Sequence, residues 1–179
     1  MKTFIISLVA SGYLMAAGLS TTSLLDGSIQ EIGLAYSKGK HGTKNATGFF
    51  EYSLLMGAGL RFEYSKNISE HPEFSSTDIS KYGLFAVYNI GLPNSAFSVT
   101  PKAGLVKTDG KFKMYDTLKK VTSKETKFTY GVELNYNIND KASIFVGYTD
   151  YGKNIKKTKD IKIDNLDSKN VSLGLKIKL

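Results

Sequence analysis

The 179 residues include no cysteine. Disulfides, thiolate chemistry and a lipid anchor attached through cysteine are all excluded. There is no tryptophan, and the whole chain holds only two histidines, His41 and His71, so histidine-activated nucleophilic catalysis has little to draw on. Beyond residue 28 no helical period lasts three turns. What is present is apolar and aromatic. Hydrophobic residues make up 41%, with eleven Tyr and ten Phe, enough for a packed structure and too much for a disordered chain. The length suits one domain and leaves little room for a second.

The first twenty residues, MKTFIISLVASGYLMAAGLS, read as a Sec signal peptide over residues 1–18 with cleavage near 18–20. Lys2 supplies the positive region, Phe4 to Ala10 with Leu14 to Ala17 the apolar region, and Ala16-Ala17-Gly18 the small residues of the cleavage site. The apolar run is broken at Ser11-Gly12 and is too short and too rich in small residues to span a bilayer comfortably.

From residue 29 to the end a period of two recurs, which places alternate side chains on opposite faces of a strand. Ile32, Leu34 and Tyr36 oppose Glu31, Gly33, Ala35 and Ser37. Leu60, Phe62 and Tyr64 oppose Gly59, Arg61, Glu63 and Ser65, and Tyr82 to Ile90 alternates in the same way. So do the stretches Phe97 to Leu105, Lys127 to Ile138, Ile144 to Thr149 and Val171 to Leu179. From Phe50 to Tyr64 every even position is apolar, so the segment reads either as one very long strand or as two. A hairpin near Leu55-Met56-Gly57 is expected, because a three-residue loop ending in Gly preserves the parity of the alternation. The count is then eight.

Connections alternate in length. Asn139-Asp140-Lys141 and Gly91 to Ala96 are short turns, whereas Lys38 to Gly48, Lys66 to Ser80, Asp109 to Lys124 and Gly152 to Asp167 read as long, polar, lysine-rich loops. A meander of this kind has its two ends in different environments, as transmembrane β-barrels do.

Alternation alone does not say which face points inward. A secreted lipocalin-type barrel has the same period with its apolar face turned in. Glycine placement separates the two: Gly33, Gly59, Gly83, Gly104, Gly131, Gly147 and Gly174 all share the face that carries charge, in strand interiors where Gly is otherwise costly. A narrow lumen crowded by long side chains needs such gaps and a solvated surface does not. The apolar face is therefore expected to face lipid, and the Tyr residues on it, toward strand ends, suit a membrane interface.

The last residues, SLGLKIKL, give polar, any, Gly, any, any, apolar, any, apolar through Ser172, Gly174, Ile177 and Leu179. This resembles the C-terminal β-signal read by the barrel-assembly machinery, with Leu179 where that signal prefers an aromatic. Together with the leader and the eight alternating segments, the chain resembles the small outer-membrane β-barrels: the OmpA transmembrane domain, the OmpX/Ail group and the opacity-type porin family. The resemblance implies an all-β fold, a single antiparallel up-and-down transmembrane β-barrel over residues 29–179, in the outer membrane of a Gram-negative-type bacterium.

Two regions are candidates for function in such a barrel. The inward face carries Glu31, Glu51, Arg61, Glu63, Lys102, Glu133 and Lys176, mixed in sign and able to pair. Paired, they form an internal network that closes the lumen. Exchanging partners, they form a gate to a narrow ion path. The basic segments, with Lys111, Lys113, Lys119, Lys120, Lys153, Lys156, Lys157 and Lys159, contribute much of the net charge of +8. They suit the phosphates of outer-membrane lipid and lipopolysaccharide, or a host or surface polyanion. The basic residues show no regular interleaving with aromatics, so nucleic acid is not an expected partner. Some small barrels modify lipids, but the His-x-Ser pattern of a lipid A deacylase-like site is missing, since His41 precedes Gly42-Thr43 and His71 precedes Pro72-Glu73. Ser69, Glu70 and Glu73 near His71 are the only catalytic material. The chain is expected to be no enzyme, with no cofactor and no metal.

Overall fold

A computed structural model describes residues 30–39, 43–54, 57–69, 74–114, 120–152, 155–158, 161–164 and 169–179. The expected signal peptide lies outside these. Among the described residues there are strands and no helix: β1 (Gln30–Gly39), β2 (Lys44–Ser53), β3 (Ala58–Asn67), β4 (Phe74–Tyr88), β5 (Ile90–Gly91), β6 (Phe97–Met114), β7 (Lys120–Asn137), β8 (Ala142–Asp150), β9 (Ile155–Thr158), β10 (Ile161–Asp164) and β11 (Lys169–Lys178). One sheet runs β4-β3-β2-β1-β11-β8-β7-β6, and β4 pairs with β6 to close it into a ring of eight. Every pairing is antiparallel. The two-residue β5 adds to the β6 edge, and β9 with β10 forms a separate hairpin in the connection from β8 to β11.

Closure is what lets such a sheet stand in lipid, because an open edge would leave backbone N–H and C=O groups unsatisfied. The last edge is removed by β1 and β11, with Ile32 opposite Ile177 and Leu34 opposite Leu175. The long alternating stretch around residue 55 is two strands. Leu54 N–H donates to the Ala58 carbonyl at 2.7 Å, and Gly57 takes the left-handed φ of 81° that ends the turn. Tyr52 therefore faces Leu60 across the pair and the apolar stripe continues unbroken.

The apolar face is the outer one. Phe128 is 64% exposed and Leu173 61%, while Arg61 is wholly buried. Gly48 and Phe50 of β2 are the exception, being buried on the outward side. Along β7 the outward apolar set runs from Phe128 to Ile138; at about 3.3 Å per residue and a strand tilt of about 40° this band stands about 25 Å tall, the height of a hydrocarbon core. Aromatic pairs sit at either end of the barrel, Tyr64 with Tyr82 and Phe97 with Tyr136, each with ring centroids 5.1 Å apart.

The long connections are shorter than the sequence suggests. The Lys38 to Gly48 segment is mostly strand, with only residues 40–43 between β1 and β2. In the second, β3 runs to Asn67 and β4 begins at Phe74; in the third, β6 and β7 stay paired as far as Lys113 opposite Lys120; the fourth contains the β9–β10 hairpin. The reason is physical: beyond the membrane both faces of a strand are wet, so the apolar–polar alternation fades while the backbone ladder continues.

Glycines on the inner face make room for closure. A Cβ on Gly174 of β11 would lie 2.5 Å from the Leu34 carbonyl oxygen and 2.5 Å from the Phe145 ring, whereas one on Gly91 would meet nothing within 4 Å. Gly174→Val is therefore expected to lower the urea midpoint of the refolded barrel by about 1–3 kcal/mol of stability, with Gly91→Val near wild type. Equal midpoints for the two variants would contradict this account of the seam.

Candidate functional site

Arg61, pointing inward from β3, is the centre of the lumen. Its Nε donates to Glu51 Oε2 at 2.8 Å and its Nη2 to the same oxygen at 2.6 Å. Nη1 reaches Glu63 Oε1 at 3.4 Å, and the guanidinium meets both carboxylate oxygens of Glu133, one of them from Nη2 at 3.0 Å. Lys102 Nζ lies 2.6 Å from Glu63 Oε1 and 3.5 Å from Glu133 Oε1, and Lys176 Nζ lies 2.9 Å from Glu133 Oε2. Three carboxylates thus face three cations, contributed by β2, β3, β6, β7 and β11, and all six side chains are buried. The seventh residue of the inward set, Glu31, is also buried and sits directly opposite Glu51, but makes no ion pair among the described residues. Such a cluster tolerates burial only because every charge is paired, Arg61 and Glu133 with three partners each.

Aromatic rings complete the plug. The Arg61 guanidinium carbon is 4.4 Å from the Phe49 ring centre, Lys102 Nζ 4.9 Å from that of Phe85, and Lys176 Nζ 5.1 Å from that of Phe145. Phe49 and Phe145 meet edge to face at 5.7 Å. Desolvated cations over ring faces gain from the ring quadrupole what water no longer supplies. Sequence reasoning left these three rings out of the site. Their signal was an aromatic on the charged face, and its meaning depends on register: Phe49 lies opposite Gly33, Phe85 opposite Gly104 and Phe145 opposite Gly174.

Polar layers flank the plug. Toward the turn end Asn135 Nδ2 donates to Thr100 Oγ1 at 2.9 Å and to Ser98 Oγ at 3.3 Å. Toward the loop end Thr47 Oγ1 bonds Ser65 Oγ at 2.9 Å and Asn45 Nδ2 donates to Ser37 Oγ at 3.4 Å. Between plug and loop end is a cavity of about 20 Å³ lined by Ser37, Thr47, Phe49, Glu63, Glu133 and Tyr151, among others. That is room for about one water molecule. Tyr151 covers it with its ring 4.2 Å from Lys81 Nζ, in an apolar cluster with Phe85, Val87 and Val106.

The other expected site residues do not converge. Ser172 and Gly174 face inward on β11, while Ile177 and Leu179 are exposed on the outer side. Lys111 and Lys113 lie on β6, Lys120 on β7, and Lys156 and Lys157 on β9; register sets Lys113 opposite Lys120 and Lys157 opposite Lys162. Lys119, Lys153 and Lys159 fall outside the described residues, as do His41, His71, Glu70 and Glu73.

The profile of the outer membrane protein beta-barrel domain family matches residues 6–178. The chain belongs to that family. No curated protein matches it in sequence. Among solved structures, the N-terminal β-barrel domain of Pseudomonas aeruginosa OprF is 14% identical with a TM-score of 0.63, covering 84% of this chain and 97% of that one. Neisserial surface protein A (NspA) is 17% identical with a TM-score of 0.53 over 85% and 96% of the two chains. Ail, the attachment invasion locus protein of Yersinia pestis, is 18% identical with a TM-score of 0.52 over 85% and 97%, and has also been solved with the heparin analogue sucrose octasulfate. At these identities the likeness is one of fold.

Glu133 touches all three cations, so its removal leaves buried charge uncompensated. Glu133→Gln is expected to cost about 3–5 kcal/mol, read as a lower urea midpoint. Lys176→Met, which leaves Glu133 with two cations, should cost less; the opposite ranking would show that Glu133 is not the hub.

Proposed function

We propose that this protein is a closed-lumen barrel of the outer membrane of a Gram-negative-type bacterium, with a structural or surface-interaction role carried by its basic segments and not by passage through the barrel. The observation that carries this reading is the plug: three carboxylates and three cations in mutual contact, wedged among Phe49, Phe85 and Phe145. With the lumen filled, the surface left for a partner is outside. Both β6 and β7 are 18 residues long, against the 9–11 or so that a tilted strand needs to cross. The excess lifts Lys111, Lys113 and Lys120 clear of the bilayer. The complex of Ail with a sulfated heparin analogue supports a polyanion as the class of ligand. We read Ser172, Gly174, Ile177 and Leu179 as the signal for the barrel-assembly machinery, and the chain as non-enzymatic.

One observation favours a second reading, a narrow gated ion path. Glu133 is shared by Arg61, Lys102 and Lys176, and Glu63 by Arg61 and Lys102, so partners can exchange without any charge being stranded.

Planar-bilayer recording on refolded protein, using material whose unboiled and boiled gel bands differ, separates the two. A folded and silent barrel is the expected result. Discrete conductance steps that Arg61→Ala alters would favour the gate. In parallel, deleting residues 153–164 is expected to abolish retention on immobilised heparin while leaving the gel shift intact.

A further inference from the structure

Of the described tyrosines, Tyr151 alone is buried; the others lie on the lipid-facing side of the strands. It directly follows β8, and its neighbours build the turn that carries it. Gly152 N–H donates to Asp150 Oδ1 at 2.8 Å, and Gly152 takes a left-handed φ of 71°. The aspartate closes the bend and the glycine allows it. The bend sends the ring across the lumen. Its neighbours there are Lys81, whose Nζ lies 4.2 Å from the ring centre, and the apolar cluster of Phe85, Val87 and Val106. These belong to β4 and β6, whereas around the ring of strands β8 is two places from β6 and three from β4. A side chain lying along its own wall could not reach them.

Beneath the ring is the cavity of about 20 Å³ above the plug, whose walls include the hydroxyls of Ser37, Thr47, Thr149 and Ser172 and the carboxamide of Asn170. Asn170 is 3% exposed, and its Oδ1 accepts no hydrogen bond among the described residues. A buried acceptor of this kind costs free energy until a donor reaches it. The chamber has room for about one water molecule, and its hydroxyls both give and take hydrogen bonds. A simple anion would offer no proton to Asn170, and a larger guest would not fit.

We propose that the Asp150-Tyr151-Gly152 turn is a lid on the loop side of the lumen, and that the chamber beneath binds one water molecule, which donates to Asn170 and is cut off from the outside by the tyrosine ring. The inference rests on the closed-lumen reading above and adds a second closure to it: the ion pairs stop the lumen at its middle, the lid at its mouth. With the ring in place the cations of the plug are shielded from bulk water on that side, which keeps their pairs in a low dielectric. The lid lies past the end of β8, so it can lift without any strand leaving the sheet.

The chain has no cysteine, so a single introduced thiol reports cleanly. Ser37→Cys places one on the chamber wall, and Asp140→Cys, on the exposed turn between β7 and β8, gives the unhindered rate. With each protein refolded in micelles and its gel shift confirmed, a small water-soluble maleimide is expected to alkylate Ser37→Cys about ten-fold or more slowly than Asp140→Cys. Adding Tyr151→Ala should remove most of that difference and adding Tyr151→Phe should keep it. Adding Asp150→Ala, on the outer side of β8, should remove part of it by loosening the turn. In NMR spectra a water cross-peak on the Asn170 side-chain amide is expected in wild type and not in Tyr151→Ala. Fast alkylation of Ser37→Cys with Tyr151 in place, or unchanged protection without it, overturns the lid; if Tyr151→Ala shows no gel shift, Asp150→Ala decides the same question. An Asn170 amide without the cross-peak in wild type overturns the bound water. Fast alkylation in a barrel that stays silent in the planar bilayer removes the lid and leaves the closed lumen to the plug alone, whereas discrete conductance steps from protein whose Ser37→Cys stays protected overturn the closed lumen and leave the lid.

Discussion

An eight-stranded barrel encloses a space only as wide as its side chains, so most of its large inward residues need a small neighbour beside them. That limit organises this molecule. Phe49 and Lys176 lie on either side of Gly33, Phe85 faces Gly104, Phe145 faces Gly174, Lys102 faces Gly131, Glu133 faces Gly147 and Glu63 faces Gly83. Each of these seven groups has, on at least one neighbouring strand, a residue with no side chain, whereas Arg61 lies between Glu51 and Phe85. The glycines cost strand stability, and the plug they admit returns it through ion pairs and ring contacts.

The plug in turn fixes the barrel's register. A slip of one residue in β3 would carry Arg61 into lipid and Phe62 into the lumen. Because Arg61 is tied to Glu51 on β2 and Glu133 on β7, an error in one strand is felt across the ring. A hydrocarbon-filled lumen would tolerate sliding; a charge network of this kind does not.

Much of this was legible in the primary structure, and the parts that were not share a cause. Alternation marked the eight strands and the face turned to lipid, and the parity argument located the hairpin at Leu54 to Ala58. Charge on the opposite face, in step with glycine, marked the contents of the lumen. Register could not be read, because nothing in a single strand says which residue of its neighbour lies alongside. The pairing of Phe49 with Gly33, the isolation of Glu31 and the rings over the cations were therefore hidden. So was the true extent of β4, β6 and β7, since a strand wetted on both faces has no periodicity to betray it.

The pairing of β1 with β11 has a consequence in time. Glu31 lies across from Lys178, so the two partners come from opposite ends of the described chain. Until they meet, every hairpin added to the growing sheet still leaves two bare edges, and no partial assembly satisfies its own backbone in hydrocarbon. Burial in the bilayer and completion of the ring must then occur together, as one event that waits on the final strand. Contacts between residues so far apart in sequence form slowly, which makes the journey before closure, not the finished barrel, the vulnerable part of this protein's life.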